Sequence, residues 1–247
     1  MEQGILYVVA TPIGNLEDLT FRAARVLGEV DALACEDTRM TRRIFERHGI
    51  TLPKTLFSHH EHNEEQAGKR ILGLLREGCA VAMCTDSGYP GVSDPGYRVI
   101  AACHEAGYRV EVIPGPGAVA TALVASGLST SSFTFKGFPP RKTGARKRFL
   151  EIEHDRPHTL VIFESPFRVG KLLDDAFAVL GDRLAAVCIE LTKKFERVRR
   201  GYLRDLAEEF RGLHVKGEVT VVIAGNHPKF SRKTPPEEEH SGPHRTT

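Results

Sequence analysis

The sequence predicts an α/β protein whose N-terminal half forms a mostly parallel sheet. Short apolar runs bounded by glycine or proline alternate with helical segments from residue 5 to residue 126. Parallel strands are normally joined by helical crossovers, which is the order observed. Three loops rich in glycine or proline, at 11–15, 86–96 and 114–117, each follow a predicted strand. We therefore expect these loops to share one edge of the sheet.

The predicted N-terminal elements cover most of the first 127 residues. The strands are expected at 5–10, 31–35, 56–57, 80–85 and 110–113. The helices are expected at 21–27, 39–48, 63–77, 95–106 and 119–126. Thr20 suits the N-cap of the first helix, and Pro95 suits the first turn of the fourth.

A second α/β domain is predicted to begin near residue 128 and to end near residue 226. Its strands are expected at 133–136, 159–163, 185–189 and 219–224, with helices at 167–180 and 202–213. In residues 227–247, Pro, Lys, Glu, His and Ser replace aliphatic residues, which predicts a disordered tail. The expected organisation is an N-terminal domain 1–127, a C-terminal domain 128–226 and this tail.

Composition excludes several classes of protein. The net charge of +2 is too mild to demand a nucleic-acid partner, and the first apolar run has only about six residues, far short of a membrane span. No basic segment precedes an apolar one as in a signal peptide, so we expect a cytoplasmic protein with no membrane association. Five cysteines without C-x-x-C spacing predict reduced thiols. His59, His60 and His62 lack helical spacing and a nearby Cys ligand, so no metal is expected.

The turn Gly115-Pro116-Gly117-Ala118 lies between a predicted strand and a predicted helix, as a dinucleotide-binding turn would. That fingerprint also needs an acidic residue about 20 positions later, and none occurs between Glu111 and Glu151. An NAD-type site is therefore excluded, while a purely structural turn stays open. The loop at 86–96 is longer than an ordinary strand-to-helix connection, which favours a ligand loop.

Two charged segments allow both a functional and a structural interpretation. Glu36-Asp37 could supply a general base, but a helix cap is the interpretation that the sequence favours. The run 141–148 is the densest basic cluster in the chain. It is equally consistent with a solvated helix face and with phosphate binding.

Six motifs resemble, in order, those of the ribosomal RNA small subunit methyltransferase I group of the tetrapyrrole methylase superfamily. They are Tyr7-Val8-Val9-Ala10-Thr11-Pro12-Ile13-Gly14-Asn15-Leu16, Glu36-Asp37-Thr38-Arg39, His60-Glu61-His62-Asn63-Glu64, Ser93-Asp94-Pro95-Gly96, Pro114-Gly115-Pro116-Gly117-Ala118 and Glu164-Ser165-Pro166. The resemblance spans residues 5 to 226. It implies a homodimer of two-domain α/β subunits, with a mixed C-terminal sheet and S-adenosylmethionine bound between the domains. The implied activity is 2′-O-methylation of a cytidine ribose in the decoding region of 16S rRNA.

The resemblance also implies a set of cofactor-binding residues drawn from both domains. These are Pro12, Asp86, Gly88, Tyr89, Val92, Gly117, Ala118, Phe163, Glu164, Leu191 and Gly225. Three positions depart from the usual pattern of the group. Phe167 follows Glu164-Ser165-Pro166 where His is usual, Ile189 stands where Arg is usual, and Tyr89 replaces a smaller residue.

For catalysis we expect Glu36 or Asp37 to act on the ribose hydroxyl, with Arg39 and Lys193 holding phosphate or ribose. The predicted contacts to 16S rRNA or the 30S subunit are basic residues of two segments. They are Arg39, Arg42, Arg43, Arg141, Lys142, Arg146, Lys147 and Arg148, with Arg47 as a further contact. Methylation of a small tetrapyrrole-like acceptor, or a non-catalytic role in ribosome assembly, stays open as an alternative.

Overall fold

The N-terminal sheet contains five parallel strands. The computed structural model describes residues 4–232. The strands are β1 (Ile5–Val9), β2 (Ala32–Cys35), β3 (Thr55–Ser58), β4 (Ala80–Cys84) and β5 (Arg109–Ile113), in the spatial order β3-β2-β4-β1-β5. Each pairing between neighbours is parallel. The predicted parallel sheet is confirmed, and the loops after its strands share its carboxyl edge.

Five helices belong to the N-terminal part of the chain, and four of them cover the two faces of this sheet. The five helices are α1 (Phe21–Glu29), α2 (Thr38–His48), α3 (Glu64–Arg76), α4 (Tyr97–Glu105) and α5 (Ala118–Ala125). One apolar core packs α1 and α2 on one face of the sheet, and another packs α3 and α4 on the opposite face. The central strands β1, β2 and β4 are buried on both faces and are therefore continuous apolar runs, which is why their positions were predictable.

The C-terminal sheet is mixed. Its strands are β6 (Phe133–Phe135), β7 (Thr159–Glu164), β8 (Leu184–Ile189), β9 (Arg197–Tyr202) and β10 (Val219–Ile223), in the spatial order β6-β7-β10-β8-β9. The β6–β7 pair is parallel and the other pairs are antiparallel. Three helices belong to this domain, α6 (Thr143–Glu151), α7 (Val169–Leu180) and α8 (Leu203–Phe210). Helices α6, α7 and α8 contribute to the large core on one face of the sheet.

The opposite face of the C-terminal sheet packs against the N-terminal part of the chain. Ile13, from the loop after β1, and Ala122 and Leu123 of α5 share one core with residues of β7, β8 and β10. Helix α5 therefore packs with the second sheet although it follows the last strand of the first. This packing holds the two carboxyl-edge loops, 11–15 and 114–117, against the C-terminal domain.

Three parts of the chain differ from the sequence predictions. Residues 197–202 form the edge strand β9, which was not predicted. Helix α4 begins at Tyr97 rather than at Pro95, because Gly96 has a φ of +136° and interrupts the helical backbone. Residues 227–232 are ordered, with a short 3-10 helix at Pro228–Phe230 and a bridge between Ser231 and Arg183. The predicted disorder is wrong for these residues, and 233–247 lie outside the described residues.

Two further expectations concern the state of the cysteines and the presence of membrane-spanning helices. All five cysteines are free thiols in the structure. None of the helices within residues 4–232 is both long enough and apolar enough to cross a membrane.

Candidate active site

A cavity of about 540 Å³ lies between the two domains. The loop after β4 and the start of α5 line one side, and β6, β7 and the start of β10 line the other. Its lining residues are Ile13, Ser87, Gly88, Tyr89, Val92, Ser93, Asp94, Gly117, Ala118, Val119, Ala120, Phe133, Phe135, Phe138, Phe163, Glu164, Ser165, Pro166, Gly217, Glu218, Val219 and Thr220. The cavity is therefore at the carboxyl edge of a parallel sheet, where ligands of α/β proteins bind.

Tyr89 and the glycine turn form one wall of the cavity. The Tyr89 hydroxyl accepts a hydrogen bond from the Gly115 N–H at 3.0 Å. A Cβ on Gly115 would lie 3.1 Å from the Cβ of Ala10, so a side chain there would fit only if Ala10 moved by a few tenths of an ångström. A Cβ on Gly117 would only reach ordinary contact with the Tyr89 ring, at 3.5 Å. The open space at Gly117 is thus free for a ligand to approach the backbone.

Phenylalanine rings form the opposite, apolar wall. The ring of Phe163 makes edge-on contacts with Phe135 and Phe138, at centroid distances of 4.8 and 5.6 Å. Across the cavity, Ser93 reaches the second domain, because its Oγ would lie 3.3 Å from a Cβ on Gly137. These contacts enclose an aromatic surface suited to a flat heterocycle.

Carboxylates gather where the cavity meets solvent. Asp94 lines both this cavity and a shallower outer cleft of about 340 Å³ bounded by α3 and α4. Burial, together with the nearby charges of Glu36, Asp86 and Glu218, raises the pKa of Asp94 to about 7. Burial also raises the pKa of Asp86. The site therefore holds a carboxyl group that titrates near neutrality beside other acidic groups.

The predicted catalytic residues Glu36 and Asp37 follow β2 at the same edge. Glu36 accepts a hydrogen bond from the Asp86 backbone, whereas the Asp37 side chain caps α2 by accepting from the Arg39 N–H at 2.8 Å. Hydrogen bonds from the Arg39 side chain and backbone lower the pKa of Asp37 to about 2. A carboxylate that is this weakly basic is a poor proton acceptor.

Lys193 lies in the second domain and contacts two carboxylates, those of Glu190 and Glu218. Its Nζ is 2.8 Å from Glu190 Oε1 and 3.2 Å from Glu218 Oε2. Burial opposes the charge on Lys193, but the hydrogen bonds to Glu190 and Glu218 outweigh it and raise the lysine pKa. Lys193 therefore stays a cation at neutral pH and cannot serve as a base.

Seven of the eleven residues predicted to bind the cofactor line the cavity. They are Gly88, Tyr89, Val92, Gly117, Ala118, Phe163 and Glu164. The other four lie outside the lining. Pro12 and Leu191 are buried in neighbouring segments, and Asp86 bonds the Asp37 N–H. A Cβ on Gly225 would lie 2.1 Å from the Pro157 carbonyl oxygen, so glycine is required there by packing.

The predicted RNA-binding residues differ in how far their side chains are exposed to solvent. Arg39, Arg42 and Arg43 on α2, and Arg141, Lys142 and Arg148 around α6, are exposed. Lys147 is half-buried, 3.9 Å from Asp175. Arg146 is only 2% exposed and its NH2 lies 2.6 Å from Asp175 Oδ2. This buried ion pair gives Arg146 a structural role, so it cannot contact RNA in this conformation.

Comparison with known proteins identifies the family. The model of the tetrapyrrole (corrin/porphyrin) methylases matches residues 5–207. The chain belongs to this family. Proteins named ribosomal RNA small subunit methyltransferase I are similar to it over most of their length. The one from Halalkalibacterium halodurans is 44% identical over 96% of this chain and 80% of its own. The one from Micromonospora olivasterospora is 46% identical over 90% and 71%, respectively.

Solved structures confirm the methylase fold. Uroporphyrin-III-C-methyltransferase from Thermus thermophilus superposes with a TM-score of 0.63, covering 89% of this chain and 94% of its own, at 23% identity. A diphthine synthase has a TM-score of 0.65 over 90% of both chains, at 16% identity. At these identities the likeness concerns the fold of the methylase family alone.

Members of the family use S-adenosylmethionine as methyl donor, and the cavity fits this cofactor. Glu164 is 2% exposed, lines the cavity, and its Oε2 has no hydrogen-bond partner within the described part of the chain. A buried acceptor without a partner calls for a donor from a ligand, and adenosylmethionine carries amino groups that can donate. The aromatic wall suits adenine, and the carboxylates at the cavity mouth suit a sulfonium cation.

Sequence reasoning missed several residues of this site. Asp94 belongs to a motif that carried the resemblance, but no role was predicted for it. Phe135, Phe138, Gly217 and Glu218 were not singled out, because they reach the cavity only through the packing of the two domains. The two aspartates in the long loop after β4 were the one signal that could have identified Asp94.

Proposed function

We propose that the protein transfers a methyl group from S-adenosylmethionine to the 2′-hydroxyl of a cytidine ribose in 16S rRNA, in the decoding region. The proposed reaction rests on Asp94. This residue lines both the cavity and the outer cleft, and its carboxyl group has a pKa of about 7. The acceptor class is supported by the relatives at 40–46% identity, all named as methyltransferases of small-subunit ribosomal RNA.

Asp94 is the proposed proton acceptor. A ribose hydroxyl is a poor nucleophile until a base removes its proton, and a base works best when its pKa lies near the working pH. Asp94 meets this condition, whereas Asp37 is too weakly basic and Lys193 stays protonated. When bound, S-adenosylmethionine supplies an electrophilic methyl group, so the chain's own residues have to align the hydroxyl and take its proton.

The remaining predicted catalytic residues receive positioning roles. Glu36 holds the loop after β4 through the Asp86 N–H, and this loop carries Asp94. Asp37 fixes the start of α2 and the orientation of Arg39. Lys193 neutralises Glu218 at the cavity wall. These contacts hold the reacting groups in a fixed geometry, which is the main requirement of an in-line displacement.

The proposed RNA contacts are the exposed basic residues of α2 and of the segment around α6. Phosphate contacts give affinity and orientation, and recognition of structured ribosomal RNA depends on shape and on splayed-out nucleotides. A 30S subunit or 16S rRNA is the proposed partner, and the homodimer and a cytoplasmic location stay predictions.

Methyl transfer to three acceptors tests this proposal. The protein is incubated with S-adenosylmethionine labelled in the methyl group and with free 16S rRNA, 30S subunits or a porphyrinoid. Label in either RNA substrate supports the proposal. Label in the porphyrinoid alone would indicate the tetrapyrrole alternative, and binding to 30S subunits without transfer to any acceptor would indicate an assembly factor.

A further inference from the structure

A second cleft, of about 570 Å³, lies beside the candidate active site, and Lys193 is the one lining residue that the reaction proposed above uses. The loop after β1 and the end of α2 line one side of the cleft, and the turn between β8 and β9 lines the other. The residues that line it are Gly14, Asn15, Leu16, Glu17, Arg47, Thr192, Lys193 and Lys194. Like the active-site cavity, this cleft is shared by the two domains.

The Lys193 side chain links the second cleft to the active-site cavity. The stem of Lys193 packs on Gly14, where an added Cβ would lie 2.4 Å from Lys193 Cγ. The ammonium of the same lysine reaches Glu218, which lines the active-site cavity, at 3.2 Å. A polymer with one unit at the active site could therefore place a neighbouring unit in the cleft.

The cleft is the end of a basic ridge. Arg39, Arg43 and Arg47 recur every four residues along α2, so they lie on one face of the helix, and all three are exposed. Arg47 makes a 3.4 Å contact with Glu17, and both side chains are more than half exposed. An ion pair this exposed contributes little, so a phosphate can compete for the arginine.

An exposed aromatic residue, Phe195, directly follows Lys194, which lines the cleft. Phe195 is 69% exposed, and the Nζ of Lys194 lies 5.7 Å from the centre of its ring. Thr192 has a φ of +66°, which is rare for a β-branched residue. Its Oγ1 accepts from the Asn15 N–H at 3.1 Å, and its N–H is bonded by Glu196. Strain of this kind persists only where surrounding contacts impose it, and it is common at functional sites.

We propose that this cleft binds a nucleotide of the RNA next to the methylated one. Arg47 and Lys194 contact its phosphodiester, and its base stacks on Phe195. Exposed aromatic rings beside basic residues are the usual platform for unpaired bases. The inference rests on the proposed RNA substrate, because a small acceptor would not extend beyond the active-site cavity.

Binding to 30S subunits and methyl transfer, measured on the same variants, test this inference. Phe195→Ala should weaken binding about tenfold, and Phe195→Tyr should restore it, because stacking needs only an aromatic face. Arg47→Ala and Lys194→Ala should each reduce the salt slope of binding by about 1. S-adenosylmethionine affinity should not change in any of them. Phe21→Ala and Lys171→Ala, which alter other exposed positions, serve as matched controls.

The outcomes separate this inference from the proposed function. Wild-type methylation of RNA, combined with unchanged affinity and salt slope in the three alanine variants, would overturn the inference alone. If the three alanine variants bind RNA more weakly than the wild type, but the wild type transfers no methyl group, the inference is supported and the proposed function is overturned. Loss of self-association in Phe195→Ala with unchanged RNA affinity would assign the ring to a contact between copies of the chain and overturn the inference. Absence of RNA binding by the wild type would overturn both.

Discussion

The backbone N–H of Asp86 donates a hydrogen bond to Glu36 Oε2 at 3.2 Å, which ties the loop after β4 to the loop after β2. The bond is reciprocated one residue later, where Asp86 Oδ1 accepts from the Asp37 N–H at 3.1 Å. The loop fixed in this way carries Asp94. Glu36, which the sequence suggested as a candidate base, therefore holds the loop that carries Asp94, the base that the structure favours.

Replacement of Glu36 separates these two roles. Glu36→Gln keeps an acceptor for the Asp86 N–H, so turnover should stay within a few-fold of wild type, whereas Glu36→Ala should lower it further. Because the Glu36 charge helps to raise the pKa of Asp94, Glu36→Gln should also move the acid limb of the pH–rate profile to lower pH. Single-turnover rates across pH measure both effects. Inactivity of Glu36→Gln at all pH values would instead make Glu36 the base.

Asp94→Asn should abolish most methyl transfer, by about 100-fold or more, while S-adenosylmethionine still binds. In the wild type, activity should rise with pH through about 7, since the carboxyl group must be ionised to accept a proton. Isothermal titration with the cofactor and a pH–rate profile check these expectations. Near wild-type turnover in Asp94→Asn would remove Asp94 from the reaction.

The same substitution should stabilise the protein at high pH. The folded-state pKa of Asp94 lies above its ordinary value of 3.8, at about 7, so ionisation disfavours the folded state increasingly between these two values. Asp94→Asn should therefore raise the Tm at pH 8 and leave it nearly unchanged at pH 4. Thermal unfolding at both pH values gives the comparison. An equal change in Tm at both would show that ionisation is not its cause.

Gly117→Ala should weaken S-adenosylmethionine binding by about tenfold or more without unfolding the protein. The added methyl group meets only the Tyr89 ring within the protein, at ordinary contact distance, but it occupies the cavity side of the turn. Gly144→Ala is the matched control, because this position on α6 is exposed and a Cβ there would meet only the end of the Arg148 side chain, at 3.8 Å. Titration of both variants with S-adenosylmethionine tests this expectation. Equal cofactor affinities in the two variants would place the ligand away from this turn.

Arg146 and Arg148 should behave in opposite ways although they are two residues apart. Arg146→Ala leaves the buried Asp175 with only the more distant Lys147 ammonium, at 3.9 Å, so it should reduce the free energy of unfolding by about 3 kcal/mol. Arg148→Ala should leave stability unchanged and reduce the salt slope of RNA binding by about 1. Urea unfolding and salt-dependent binding to 30S subunits measure the two effects. A stable Arg146→Ala variant with a reduced salt slope would reverse this assignment.

The contrast between these two arginines shows why the site was only partly predictable. A dense basic run predicts a charged surface, but the phase of a helix turns one of its residues inward, and only the packing of α6 on α7 shows which one. Strand β9 was missed for a related reason. It is an edge strand whose arginines face solvent, as protected edges often do, so it lacks the apolar alternation that predicts a strand.

The elements that were predicted correctly owe this to local chemistry. The three central strands of the first sheet, β1, β2 and β4, are buried on both faces, so each is a continuous apolar run. The glycine turn and the loop after β4 were recognised from residue type and length. The aromatic wall and Glu218 come from distant segments that carry no local signal, because they meet the loops only after the two domains pack together.

The proposed acceptor of the methyl group is a ribose oxygen of cytidine in 16S rRNA. The most direct test of this proposal is to label 30S subunits with the methyl-labelled cofactor, digest the RNA to nucleosides and separate the products by chromatography with mass detection. The label should co-elute with 2′-O-methylcytidine, and Asp94→Asn should remove this peak. Label in a base-methylated nucleoside, or in no nucleoside of the RNA, would contradict the proposal.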